Sequence, residues 1–293
     1  MKQSVKNTIP VYDITSLQAV ENKEKQVIAL PFAEYLHIHP NLHAAHRHTF
    51  YHVLLFTKGG GYHTIDFEQF QVTPGQIYFM VPGQVHSWNF EGEVDGYIIN
   101  FSEHLLPAFL TNANYAELFP FMQGVAKDSV IQLPQQVLPE VIHQFETVLK
   151  AVRENKPLAN DLVSAQLISL FVTVNNTIAA PAADVQQQHL VLFNFRKLIN
   201  TWYAEKRLPR EYAAMLYITP NHLNALCQDL LGTTAGDLIR DRVLLEARRL
   251  LVNVDISISE IAYKLNFADN SYFSRFFKKY TGTTPEQFRK NHQ

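Results

Sequence analysis

Residues 258–289 read ISEIAYKLNFADNSYFSRFFKKYTGTTPEQFR, and this stretch decides how the rest of the chain is read. Ile258, Ile261, Ala262 and Leu265 fall at helical spacing, with Ser257 or Ser259 placed to cap the start. Asn266-Phe267-Ala268-Asp269 interrupts the pattern for the length of a tight turn. A second helix is expected from Asn270 to about Tyr280, ended by Gly282, which suits the left-handed residue just past a helix. Two short helices joined by such a turn form a helix-turn-helix.

The second helix has two chemically distinct sides. Phe273, Phe276, Phe277 and Tyr280 repeat at i, i+3, i+4 and i+7, and are expected to pack inward. Ser271, Ser274, Arg275 and Lys278 lie on the opposite side. Their hydroxyl, guanidinium and ammonium groups suit base edges and phosphates. One such helix is equally an ordinary solvated face.

The unit, however, occurs twice. Leu223, Leu226 and Leu230 answer Phe273, Phe276 and Tyr280 fifty residues later, and Gly232-Thr233-Thr234 answers Gly282-Thr283-Thr284. Ala213 answers Ala262 at a shift of 49, so the second turn carries one more residue than the first. Ile239, Val243, Ala247, Leu250 and Leu251 form a stripe long enough for a stiff helix between the two units.

Residues 189–293 resemble the DNA-binding domain of the AraC/XylS family of bacterial transcription regulators. The resemblance rests on Arg242-Val243, Ala247, Leu250-Leu251, Ile258, Ile261-Ala262, Phe267, the run Ser271 to Lys278, Gly282-Thr283-Thr284-Pro285 and Phe288-Arg289. It implies two recognition helices entering successive major-groove segments. Asn221, Asn224, Ala225 and Gln228 would face DNA from the first, and Ser271, Ser274, Arg275 and Lys278 from the second. Two positions depart from the pattern. Asn266 stands where the family has Gly, and Asn tolerates the left-handed conformation next best. The first recognition helix carries Ala225, Cys227, Gln228 and Asp229 in place of basic residues.

The chain of 293 residues suits two domains. Its net charge of −2 divides unevenly, about +5 from residue 189 onward and −7 before it, which fits a phosphate-binding C-terminal part. MKQSVKNTIP lacks the apolar core of a secretory signal, and no apolar run reaches membrane-spanning length. The single cysteine, Cys227, excludes an internal disulfide and reads as a small core residue. A cytoplasmic protein with no membrane partner is expected.

Residues 1–26 read as an N-terminal arm. From there to Phe101 short apolar or alternating runs suggest strands at 34–39, 48–57, 62–67, 70–72, 76–81, 85–90 and 97–101, with turns at Gly59-Gly60-Gly61, Pro74-Gly75, Pro82-Gly83 and Glu91-Gly92. Many short strands without helices imply a sandwich or barrel. Residues 135–153 and 157–176 are amphipathic helices, lined by Val137, Val141, Phe145, Val148 and Val152, and by Leu158, Leu162, Ala165, Ile168, Phe171 and Val172. They form either a hairpin packed on the barrel or, by family resemblance, part of a homodimer interface. Residues 179–188 are expected to be a linker. The layout is thus an arm (1–26), a sensing and dimerisation domain (27–178), a linker (179–188) and a DNA-binding domain (189–293).

Residues 27–178 resemble the β jelly-roll (cupin-like) sensor domain of the same family. His46-x-His48, His52 three intervening residues later and Gly59 six further on follow the first cupin motif, with His in the usual Glu position. Gly75, Pro82-Gly83 and His86 follow the second, with Val81 where a Pro is common. Imidazoles suit Zn, Fe, Ni and Cu. The expectation is nonetheless no metal and no cofactor. The histidines would serve as hydrogen-bonding groups of an effector pocket lined by His46, His48, Tyr51, His52, Phe79, His86 and Trp88. His37, His39, His43 and His63 are expected at the surface or at strand edges.

These features imply a regulator that is not an enzyme. It would bind promoter DNA and a small-molecule effector, as a homodimer and with RNA polymerase as a further partner. The competing reading is a metal-dependent cupin enzyme with a helical appendage. No phosphate loop or dinucleotide fingerprint supports other catalysis.

Overall fold

A computed structural model describes residues 9–17, 26–110, 112, 115–178, 183–252 and 256–291. It divides into two compact units, residues 10–180 and 181–293.

The first unit holds two five-stranded sheets. Its strands are β1 (Val11–Tyr12), β2 (Val27–Pro31), β3 (His46–His48), β4 (Tyr51–Lys58), β5 (Gly61–Ile65), β6 (Glu68–Gln71), β7 (Gln76–Met80), β8 (Val85–Phe90), β9 (Asp95–Phe101) and β10 (Val130–Gln132). One sheet runs β1-β3-β8-β5-β6, the other β10-β7-β4-β9-β2. Residues 11–12, expected in a free arm, instead pair in parallel with β3. The expected strand at 34–39 is a helix, α1 (Phe32–Ile38), because Phe32 and Tyr35 are both fully buried at one helical turn's spacing. Then come α2 (Leu105–Phe109) and a hairpin of α3 (Leu138–Glu154) and α4 (Ala159–Asn175).

Strand alternation sorts the side chains into two cores. His52, Leu54 and Phe56 of β4 point between the sheets, joining Phe32, Tyr35, Ile65, Tyr78, Trp88 and Ile98. Tyr51, Val53 and Leu55 point the other way, with Ile77, Phe79, Ile99 and Phe101, against Phe145, Val148, Leu167 and Phe171 of the hairpin. The hairpin thus covers the outer face of the second sheet. Its α3 stripe is as expected. On α4, Val163, Leu167, Leu170, Phe171 and Val174 are buried, while Leu162, Ala165 and Val172, and Leu158 just before the helix, are exposed. Apolar residues surround α4 on nearly every side, so periodicity alone misassigned its inner face.

The second unit is helical: α5 (Ala183–Trp202), α6 (Pro209–Met215), α7 (Pro220–Leu231), α8 (Ala235–Leu251), α9 (Ile258–Lys264), α10 (Asn270–Thr281) and α11 (Pro285–Asn291). The stretch expected as a linker, 179–188, is helical from Ala183 onward, and residues 179–182 lie outside the described residues. Helices α6–α7 and α9–α10 are the two helix-turn-helix units, joined by turns at 216–219 and 265–269; the second is one residue longer, as the sequence shift implies. Tyr217 and Asn266 take the left-handed turn conformation, at φ 57° and 54°. Of the two candidates the sequence offers for α9, Ser257 is the cap, and three further helices are capped in the same way. Thr219, Ser257 and Asp269 accept from the backbone N–H three residues on, and Thr234 with Asp237 closes a capping box on α8.

Candidate functional site

The C-terminal unit presents two polar helix faces. On α7, Leu223, Leu226 and Cys227 are buried, which turns Asn221, Asn224, Ala225 and Gln228 to solvent. On α10, Phe273 and Phe277 are buried, Ser271, Arg275 and Lys278 are exposed, and Ser274 is half-buried. Phe276 and Tyr280, expected inside, are only partly covered; Tyr280 is 40% exposed. Both are engaged sideways. Phe276 packs on Phe267 with ring centres 5.1 Å apart, and the Arg240 guanidinium sits 4.4 Å over the Tyr280 ring.

One of these side chains has a second task. The Asn224 carboxamide oxygen accepts from the Ala235 backbone N–H at 3.1 Å, at the start of α8. Two exposed tyrosines escaped the sequence reading. Tyr217, 95% exposed, occupies the turn of the first unit, and Tyr263, 85% exposed, lies on α9 of the second. Large aromatic side chains that solvated were not signalled by periodicity, which reports only the buried face.

The interior between the two sheets of the N-terminal unit is lined by histidine. His46 and His48 come from β3, His52 from β4, His63 from β5 and His86 from β8, and none is more than 4% exposed. His63 therefore lies at the centre of the site and not at a strand edge. It stands on β5 beside β8, where Ile65 pairs with His86 and His63 with Trp88. No spacing rule in the first or second motif includes it. Tyr51 and Phe79, expected in this pocket, are on the opposite face of their sheet. Tyr51 stacks on Phe101 at 5.0 Å and Phe79 on Phe121 at 4.1 Å. His37 and His43 are exposed and His39 is half-buried.

The histidine rings are in contact with one another. His63 Nε2 lies 3.1 Å from His86 Nδ1, and His86 Nε2 lies 2.9 Å from His48 Nε2. His46 Nδ1 donates to the Ala44 carbonyl at 2.8 Å. Burial, which disfavours the charged form, pushes His46 down to about 4 and His52 to about 3. His48, His63 and His86 are held well below the usual histidine range, by burial first and then by the neighbouring rings. All five imidazoles are neutral at pH 7.

The same interior contains several polar atoms with no hydrogen-bond partner, His46 Nε2, His63 Nδ1 and Trp88 Nε1, while the His52 ring lies against the Asn100 side chain. Each such group costs about 1–3 kcal/mol when buried unpaired.

Two family profiles match the chain: an AraC-like ligand binding domain over residues 33–171 and a helix-turn-helix domain over residues 212–291. The chain belongs to the AraC family of transcription regulators. Its N-terminal unit is the family's ligand-binding domain and its C-terminal unit the DNA-binding domain. Among its relatives, the HTH-type transcriptional activator RhaR of Cronobacter sakazakii is 21% identical over 254 residues, covering 85% of this chain and 87% of that protein. The probable transcription factor PqrA of Proteus vulgaris is 43% identical over 70 residues, 24% of this chain and 57% of that protein. ToxT of Vibrio cholerae is a solved structure similar to this AraC-family chain at 13% identity and a TM-score of 0.42, covering 82% of this chain and 88% of that one. No helix among the described residues is long and apolar enough to cross a membrane.

Proposed function

We propose that this AraC-family regulator is a cytoplasmic activator that binds promoter DNA with α7 and α10 and takes a small polar effector between the sheets of its N-terminal unit. The observation that carries the DNA-binding part is the repetition of a capped helix pair on both sides of α8, each with a polar exposed face on its second helix. Arg275 and Lys278 supply charge to the second face, with Ser271 and Ser274 beside them. Asn221, Ala225 and Gln228 form an uncharged first face, where amides suit adenine edges. Asn224 joins that face only in part, since its carboxamide oxygen is engaged by Ala235. Tyr217 and Tyr263 are exposed aromatics on the same two units.

The effector side rests on His46, His48, His52, His63, His86 and Trp88, with Asn100 opposite. Buried ring nitrogens and the Trp88 indole N–H without a protein partner favour a polar ligand that meets them. The exposed stripe of α4, Leu158, Leu162, Ala165 and Val172, is the homodimer surface in this reading. RNA polymerase is the further partner of an activator bound at a promoter. A gel shift on promoter-proximal DNA with and without a metabolite panel tests the function. Binding that no metabolite alters would remove the effector role, and no binding would remove the whole reading.

A further inference from the structure

The crevice between the two helix-turn-helix units carries groups that DNA contact by α7 and α10 does not use. We propose that it is a second small-molecule site, distinct from the space between the sheets, built for a single aromatic ring bearing a carboxylate. The binding does not rest on the function proposed above; its effect on DNA does.

The crevice has a volume of about 250 Å³. Its floor is Ile239 and Val243 of α8, both fully buried. Phe267, Tyr272 and Phe276 line it from the second unit, with the Tyr272 and Phe276 ring centres 5.7 Å and 5.1 Å from that of Phe267. Tyr272 is nonetheless 52% exposed, so a broad aromatic surface beside an apolar floor is left to solvent. A planar aromatic guest covers such a surface by offset or edge contacts.

The crevice also carries two guanidinium groups. Arg240 lies over the Tyr280 ring and is neutralised by Asp237. Arg207, over the Phe267 ring, is not neutralised in this way. Its side chain donates to the carbonyls of Ala204 and Leu265, which are uncharged, and it joins none of the ion pairs among the described residues. Burial holds it below the usual arginine range, because little nearby charge offsets its lost hydration. A carboxylate is the group that a planar guanidinium fork binds most strongly.

Asn266 sets this crevice apart. It stands where the related pattern has Gly, at φ 54°, a backbone that glycine takes most easily. The turn itself has no need of the Asn side chain, and the residue lines the crevice. Its amide can donate to the second oxygen of a carboxylate held by Arg207. Size limits the ligand further. The space falls below the roughly 300–1,000 Å³ of pockets for drug-sized molecules, which suits one ring and its carboxylate and not a nucleotide. Arg207 precedes the first unit, whereas Phe267 and Tyr272 belong to the second, so a ligand touching all three braces one unit against the other.

The test uses full-length protein carrying carbon-13 in its isoleucine and valine methyl groups, titrated with benzoate. The Ile239 and Val243 methyl signals should shift saturably in the ring current of the bound probe. Benzamide, which lacks the charge, should bind roughly tenfold more weakly, and cyclohexanecarboxylate, which lacks the aromatic ring, roughly threefold. Arg207→Lys keeps the charge but loses the fork, and should weaken benzoate about tenfold. Asn266→Gly suits the turn's backbone and should weaken it roughly threefold or more. The exposed Lys290→Ala should change nothing. Wild-type protein whose Ile239 and Val243 signals do not move overturns the site even if Arg207→Lys fails to fold. So does benzoate binding that both crevice variants leave unchanged. Cyclohexanecarboxylate bound as tightly as benzoate overturns the aromatic class. In gel shifts, benzoate should raise affinity for a two-part site selected from random DNA about fivefold, with no change on either half alone. Equal affinity with and without benzoate overturns the bracing role. Methyl shifts in a protein that binds no DNA leave the site standing and remove the regulator.

Discussion

The Asn224 side chain and the Ala235 backbone N–H are joined by a hydrogen bond of 3.1 Å, tying the first recognition helix to the start of the helix that follows it. Ala235 is fully buried, so its N–H has no water to turn to. Asn224→Ala should therefore lower the stability of the C-terminal domain by about 1–2 kcal/mol, in the range of a lost helix cap. Thermal melting of the variant checks this. Loss of DNA affinity with unchanged melting would show that the side chain serves DNA and not the fold.

The two recognition helices should differ in their dependence on salt. Arg275 and Lys278 make the second face cationic, whereas Asn221 and Gln228 carry no charge. Arg275→Ala should weaken binding more than Asn221→Ala. If Arg275 grips a guanine, the loss is about 1–3 kcal/mol and confined to one base position. If it holds a phosphate, the loss is uniform across sequences and the salt slope falls by about one. Binding to mutated half-sites at fixed and varied salt distinguishes these outcomes.

Phe171 and Leu162 occupy opposite sides of α4. Phe171 is fully buried against Phe79, Phe119 and Phe121, while Leu162 is 51% exposed. Phe171→Asp should unfold the N-terminal domain, since it places a charge in the core. Leu162→Asp should fold and sediment as a weaker dimer if the exposed stripe is the interface. An unchanged dimer in the folded Leu162→Asp protein assigns the interface elsewhere.

The thiol of Cys227 is fully buried, and burial pushes it up to about 11. It should resist alkylation at pH 8 in the folded protein and react once the domain is unfolded. The sign of the linkage follows. Above about pH 9 the unfolded thiol loses its proton and the folded one does not, so this group's contribution to stability is lost as the pH rises through that window. Timed labelling with and without denaturant measures the first effect.

Much of the C-terminal unit was legible in the sequence because its signals are local. Ser257, Thr234 and Asp269 cap helices within three residues of themselves, and Gly282 ends one. Duplication of the unit then supplied a second reading of the same pattern. In the N-terminal unit the strands were legible from turns, but the facing of their side chains was not. Residues 52–56 of β4 and 77–80 of β7 are buried on both sides, so no alternation of polar and apolar residues marks which side is the interior. That is why Tyr51 and Phe79 were assigned to the wrong face. The place of His63 among the buried histidines depends on pairing between β5 and β8, a relation between residues 63 and 86 that no motif records.

Arg207 lies just ahead of α6 and donates to the Leu265 carbonyl at the end of α9, with its guanidinium 4.5 Å over the Phe267 ring. One side chain thus spans both helix-turn-helix units. Arg207→Ala should cost about 2 kcal/mol of stability, the scale of a charged hydrogen bond with a stacked cation. It should also lower affinity for a two-part DNA site more than for either half alone. Equal losses on whole and half sites would mean that the contact stabilises the fold without coupling the units.

Helix α8 is 17 residues long, about 25 Å, with a capping box at its start and its last residue, Leu251, held through its carbonyl by Arg289 at 3.0 Å. A helix fixed at both ends sets phase as well as distance. One residue inserted within it would swing the second unit by about 100° around the axis and advance it by about 1.5 Å. A recognition helix turned that far presents its flank to the groove it previously entered. With both helices on DNA as proposed, the chain length of α8 and the base-pair spacing of the DNA site would be a single inherited quantity, and neither could drift by one unit while the other stood still.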